Sequence, residues 1–134
     1  MEWANIQLKN VAITYSTHVQ TGEYTTVIQN IAKQVILVTL PDKGQQIIEE
    51  LKSVNEVADS REDCDVIIDF SNVEMLTSVG INNLMALRNL LHKRGHWLIL
   101  CTVPFRIKGV FKVSGLDVVF KFADGKEAAI AAIT

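Results

Sequence analysis

The chain has 134 residues, 49% hydrophobic and 21% charged, a size and balance that fit one globular domain burying about two-thirds of its unfolded surface. Thirteen Lys and Arg against fifteen Asp and Glu leave a net charge of −2, and the cations are scattered, so no basic field invites nucleic acid or an anionic membrane. No apolar run nears the roughly 20 residues of a membrane span, and Met1–Ile6 shows neither a basic leader nor a cleavage site, so the chain is expected to be cytoplasmic.

Residues 1–23 read as an N-terminal extension packed on a main domain of residues 24–134. Within the extension Val11, Ile13 and Tyr15 alternate with Ala12 and Thr14, the period of one additional strand, and His18–Glu23 reads as a loop. Tyr24–Gln29 is the expected first strand of the main domain. From Gln34 onward strands and helices alternate. Strands are expected at Gln34–Leu40, Asp65–Phe70, Trp97–Cys101 and Val118–Phe122. Helices are expected from Lys43 to about Val57 and at Val79–Arg94, Phe105–Val113 and Gly125–Ala132. Asn55–Asp63 reads as a surface loop. This alternation predicts an α/β fold, a central mixed, mostly parallel sheet of about four to six strands covered by helices. The runs Val35–Val38, Val66–Ile68 and Trp97–Leu100 are continuously apolar rather than alternating, as central strands covered on both faces require.

Local signals fit this register. Asp42 with Gln45, and Asp124 with Glu127, have capping-box spacing. Gly95 follows Lys93 and Arg94, the expected end of a helix. Cys64 opens one expected strand and Cys101 closes another; if those strands run parallel, the thiols sit near opposite ends of the sheet, too far apart to bridge, which suits a reducing compartment.

The stretch Val66–Ile81 carries the functional signal. An apolar strand leads through a turn to Thr77-Ser78-Val79-Gly80, which puts Ser78 at a helix N-terminus. There a hydroxyl can cap the backbone, and an added phosphate meets free amides and the positive end of the helix dipole. At about 100° per residue, Ile81, Leu84, Met85, Leu87, Leu90 and Leu91 take more than half the circumference and leave Asn82, Ala86, Asn89 and Lys93 as a solvent stripe. Ser78 falls on the Asn82 and Asn89 side, so hydroxyl and stripe together suggest a docking face. Thr77 is the alternative hydroxyl, itself competent as a cap. Gly80 reads as a point of close backbone approach.

Other constellations are weaker. His92 and His96 have an i, i+4 spacing that would suit a metal, but Gly95 ends the helix between them. Glu49, Glu50, Glu56, Asp59, Glu62, Asp63 and Asp65 read as a solvated acidic face without the spacing of a calcium loop. Phe105, Phe111, Phe120 and Phe122 read as core. No glycine-rich phosphate loop, Gly-x-Ser-x-Gly elbow or Cys-x-x-Cys pair is present. No catalytic residue, metal or cofactor is therefore assigned, and the chain is expected not to be an enzyme.

Thr77-Ser78-Val79-Gly80, the helix running to Lys93-Arg94-Gly95, the Val113-Ser114-Gly115-Leu116-Asp117 segment and the closing Phe122–Ala129 together resemble the STAS domains, over residues 24 to 132. The resemblance implies a bacterial anti-sigma factor antagonist, a non-catalytic regulator of transcription that binds its partner and is switched by serine phosphorylation. Ser78 would be the phosphoacceptor, with Thr77 as alternative, and Thr77, Ser78, Val79, Gly80, Asn82, Asn89 and Lys93 would meet the partner. That partner would be an anti-sigma factor and serine kinase of the histidine-kinase-like ATPase type, reset by a PP2C-type phosphatase, and self-association is compatible with the family. The alternatives are a constitutive adaptor or scaffold subunit, stressosome-like or in a transport complex, and, with least support, a small-ligand-binding domain. Thr77 stands where the family has Asp, Val79 replaces a second hydroxyl, and Pro41-Asp42 replaces a Gly.

Overall fold

The computed structural model describes residues 3–8, 11–17, 24–29, 34–42, 44–60 and 63–133. Among them, seven strands form one sheet in chain order: β1 (Trp3–Leu8), β2 (Val11–Thr17), β3 (Tyr24–Gln29), β4 (Gln34–Thr39), β5 (Cys64–Asp69), β6 (Leu98–Cys101) and β7 (Lys121–Ala123). β1 to β4 pair antiparallel; β4 to β7 pair parallel. Each parallel step needs a crossover to bring the chain back. α1 (Gly44–Ser60), α2 (Ser78–Lys93) and α3 (Phe105–Val113) supply the three crossovers, and α4 (Lys126–Ile133) follows β7.

The continuous apolar runs are explained by cores on both sheet faces. Ile36, Val38, Val66, Ile68 and Leu100 join Ile47, Leu51 and Val54 of α1, Leu84, Leu87 and Leu91 of α2, and Ile107 and Phe111 of α3. Their neighbours Val35, Leu37, Ile67, Ile99 and Cys101 pack instead with Ala129, Ile130 and Ile133 of α4. At about 25 cal/mol per Å² removed from water, each buried Val, Leu, Ile or Phe among them contributes roughly 1.5–3 kcal/mol.

The α/β architecture and mixed sheet are those the sequence predicts, with differences at identifiable places. The sheet has more strands than expected, because Trp3–Leu8 pairs with Val11–Thr17 from Trp3↔Ser16 to Leu8↔Val11. His18–Glu23 lies outside the described residues. Asn55–Asp63 is not a loop as far as Ser60: α1 continues because Val54 and Ala58, four apart, keep its buried stripe in register. The Arg94 guanidinium then closes its end, donating to Ala58 O at 2.8 Å and Asp59 O at 3.3 Å. Val118–Phe122 is not one strand. A turn at Gly115 (φ 74°) leads into a 3₁₀ turn, Leu116–Val118, and pairing begins only at Lys121.

Phe105 is not core. Ile107 and Phe111 define the buried stripe of α3, and Phe105, about 200° from Ile107 at 100° per residue, points the other way and is 92% exposed. Phe120 and Phe122 do pack edge-to-face on Phe111, each at 5.4 Å. The acidic face also breaks up. Glu50 and Asp65 are buried, while Glu49, Glu56, Asp59 and Asp63 are exposed and Glu62 lies outside the described residues. The Asp65 carboxylate accepts the Trp97 N–H at 2.7 Å, and His96 bridges Asp65 (3.3 Å) and Asp63 (3.2 Å). His92 stays exposed beyond this cluster.

Candidate functional site

The site is assembled at the carboxyl end of β5. The last residue of that strand, Asp69, is 3% exposed, and its carboxylate accepts the Ser71 N–H at 2.8 Å, turning the chain off the sheet. Its other oxygen lies 3.3 Å from Lys126 Nζ, which balances the buried charge. The Val73 N–H donates to Phe70 O at 3.0 Å, completing the turn. Val73 and Leu76 are buried and anchor the loop, whereas Glu74 and Met75 project outward.

Thr77 is the N-cap of α2. Its backbone is extended (φ −87°, ψ 166°), and its hydroxyl accepts the Gly80 N–H at 3.3 Å. Its carbonyl takes the Ile81 N–H at 3.0 Å, the first bond of the helix. Ser78 is therefore not the cap but the first helical residue, and it is exposed. The amides of Ser78 and Val79 precede any intrahelical acceptor, so an anion on the Ser78 hydroxyl would stand over the positive end of the dipole. Of the two sequence readings for this pair, the cap falls to Thr77 and the accessible hydroxyl to Ser78.

The predicted stripe is placed as expected: Asn82, Ala86, Asn89 and Lys93 are all exposed, while Leu84, Leu87 and Leu91 are buried. Thr77, Ser78 and Val79 join it at the N-terminal end, Val79 with half its surface in water. Gly80 is buried, and a Cβ there would come within 2.9 Å of Leu76 Cδ1. The close approach is thus to the Leu76 side chain rather than to backbone. Met75, 68% exposed, was not singled out from sequence. An apolar residue directly beside a buried Leu in a turn carries no signal of its outward direction.

Cys64 sits opposite Gln34 and Cys101 opposite Asp69, at opposite ends of the β5 register, and both remain buried thiols. Burial, reinforced by the Asp69 carboxylate, pushes the Cys101 thiol up to about 11, so it is not a nucleophile near neutrality. A cavity of about 470 Å³ opens beside Asp69, Thr102 and Lys126, at the strand ends where open α/β sheets take ligands. Its described lining holds the Asp69–Lys126 ion pair, the Thr102 hydroxyl and Glu127. Among the described residues no helix is long and apolar enough to cross a membrane.

The family model for the STAS domain matches residues 45–129. No curated protein matches this sequence. Among solved structures, the chain is similar to an anti-sigma-factor antagonist (STAS) domain protein from Planctomyces limnophilus, with TM-score 0.67 and 18% identity over 90% of this chain and 97% of that one. A sulfate transporter family protein from Wolinella succinogenes gives TM-score 0.64 and 20% identity over 74% and 84%. A chain from the molecular architecture of the stressosome, a signal integration and transduction hub, gives TM-score 0.60 and 14% identity over 80% and 94%. At these identities the likeness is one of fold.

Proposed function

The chain belongs to the STAS domain family, and from that premise we propose that it is a non-catalytic anti-sigma factor antagonist whose binding is switched at Ser78. The observation that carries this reading is the division of labour at α2: Thr77 holds the cap, and Ser78, the next residue, is exposed. A phosphoryl group adds about 1.5 to 2 negative charges at pH 7. Inside the domain those charges meet free amides and the helix dipole, an interaction of roughly 0.3–1 kcal/mol at an exposed site. A partner pressed over Ser78, Val79, Asn82, Asn89 and Lys93 would instead have to desolvate a dianion, at a cost of several kcal/mol. Binding is lost while the fold is kept.

The partner implied is an anti-sigma factor with serine kinase activity of the histidine-kinase-like ATPase type, with a PP2C-type phosphatase for reset; nucleotide and Mg²⁺ belong to the kinase. The work of such a module is cytoplasmic. Incubation with that kinase and ATP, followed by peptide mass spectrometry, should place one phosphate on Ser78 and none on the capping Thr77. No modification at either residue, together with partner binding unchanged in Ser78→Asp and Ser78→Ala, would overturn the switch.

A second reading, a constitutive adaptor of the same fold, is favoured by the apolar Met75 and Val79 exposed beside Ser78, since such contacts need no modification. It predicts a complex indifferent to Ser78→Asp.

A further inference from the structure

Helix α3 is built differently from its neighbours. Of its nine residues only Ile107 and Phe111 are buried, and it carries Arg106, Lys108 and Lys112, all exposed, with no acidic residue. At about 100° per residue, the direction opposite Ile107 and Phe111 holds Phe105, Gly109, Lys112 and Val113, with Arg106 and Lys108 flanking them. Phe105 is 92% exposed and Val113 91%, and Val118, on the 3₁₀ turn that packs against α3, is 85% exposed. The whole-chain charge of −2 hides this local concentration of cations.

We propose that this face of α3 adsorbs the domain to an anionic phospholipid surface, with Phe105, Val113 and Val118 entering the headgroup boundary and Arg106, Lys108 and Lys112 paired with lipid phosphates. Two features select a bilayer over a protein groove. Apolar side chains exposed over nine-tenths of their surface are knobs, and a bilayer boundary receives knobs without a matching concavity. Lys112 also stands directly beside Phe105 around the helix, about 20° from it, with Gly109 and Val113 on the other side of Phe105. Lys is depleted from the cores of protein interfaces, whereas Lys among apolar residues is the pattern of interfacial helices, where the ammonium reaches the headgroups. The exposed Asp117 nearby and the net negative charge oppose adsorption, so binding needs the attraction of Arg106, Lys108 and Lys112 to anionic lipid and is strongly sensitive to salt. The surface is separate from Ser78, and the inference does not rest on the switch.

The test is co-sedimentation of the full chain with vesicles of phosphatidylcholine, with and without about one-third phosphatidylglycerol. Binding is expected to the anionic vesicles only and to be lost as salt shortens the screening length from about 10 Å to a few Å. At about fivefold per cation near such a surface, Lys108→Gln with Lys112→Gln should weaken it roughly 25-fold, and Phe105→Ser about tenfold. Circular dichroism and thermal midpoint should be unchanged in both variants, because neither touches a buried side chain. Ser78→Asp should bind vesicles like the parent chain, so loss of the switch and loss of adsorption are distinguishable. No binding to anionic vesicles, or equal binding by the variants, overturns the proposal, as does a protein complex disrupted by Phe105→Ser in a chain that ignores vesicles.

Discussion

Replacing Thr77 and Ser78 separately by Ala should give unequal results, because the two hydroxyls do different work. Thr77 Oγ1 accepts the Gly80 N–H at 3.3 Å. Its removal leaves a first-turn donor in a partly buried setting without its acceptor, a loss of about 0.5–2 kcal/mol for N-caps in general. The bond is long, which places the expectation near 1 kcal/mol. Ser78 is exposed at the first helical position, where Ala is the better helix former by a few tenths of a kcal/mol, so Ser78→Ala should be neutral or slightly stabilising. Urea unfolding at neutral pH, with equal slopes for the three proteins, measures both differences. Near 1 kcal/mol corresponds to a drop of about 2–5 °C in thermal midpoint for a domain of this size. If Ser78→Ala costs more than Thr77→Ala, the capping assignment is wrong and the Ser78 hydroxyl is not available for modification.

Three further outcomes follow from buried groups. Gly80→Ala gains about 1 kcal/mol of helix propensity but forces a methyl to within 2.9 Å of Leu76 Cδ1, at an overpacking cost of about 1–3 kcal/mol; a net loss near 1 kcal/mol is expected, and a net gain in urea unfolding would refute the contact. The Cys101 thiol, raised from 9.0 to about 11 in the folded state, binds its proton more tightly folded than unfolded. The stability it contributes is present below about pH 9 and lost between about 9 and 11, an order of 2–3 kcal/mol. Denaturation between pH 8 and 11 should therefore show a steeper fall for the parent than for Cys101→Ala, and parallel curves would contradict it. Asp65→Ala removes the acceptor of the Trp97 N–H and the partner of His96 Nδ1; a loss of about 2–4 kcal/mol is expected by thermal unfolding, and a loss under 1 kcal/mol would show that water replaces the carboxylate.

Most of the parallel half of the sheet was legible because its signals are local and redundant. Val66–Ile68 and Leu98–Leu100 are apolar on both faces since helices cover both, and α3 begins and ends at the predicted Phe105 and Val113. The failures have a common cause, which is that tertiary packing decided between locally equal choices. Val57 and Ala58 suit a helix or a loop edge, and α1 extends because Val54 and Ala58 meet α2's side of the core. Phe105 looked like core by composition, but its angle around α3 opposes Ile107. Asp65 looked solvated among its acidic neighbours, yet its strand position points it at the Trp97 amide. At the site itself the solvent-exposed stripe Asn82, Ala86, Asn89 and Lys93 was readable from periodicity. Which of two adjacent hydroxyls caps the helix was not, since a one-residue shift of a helix start lies below what periodicity resolves.

The most direct measurement is to place phosphoserine at position 78 by genetic incorporation and to record, on the same sample, the thermal midpoint and the affinity for the proposed anti-sigma factor partner. The expected result is a midpoint within about 2 °C of the unmodified chain, as an exposed dipole interaction of under about 1 kcal/mol allows, with partner affinity reduced at least a hundredfold. A midpoint lowered by 5 °C or more, or affinity left intact, would contradict a site that accepts an anion internally while repelling what docks on it.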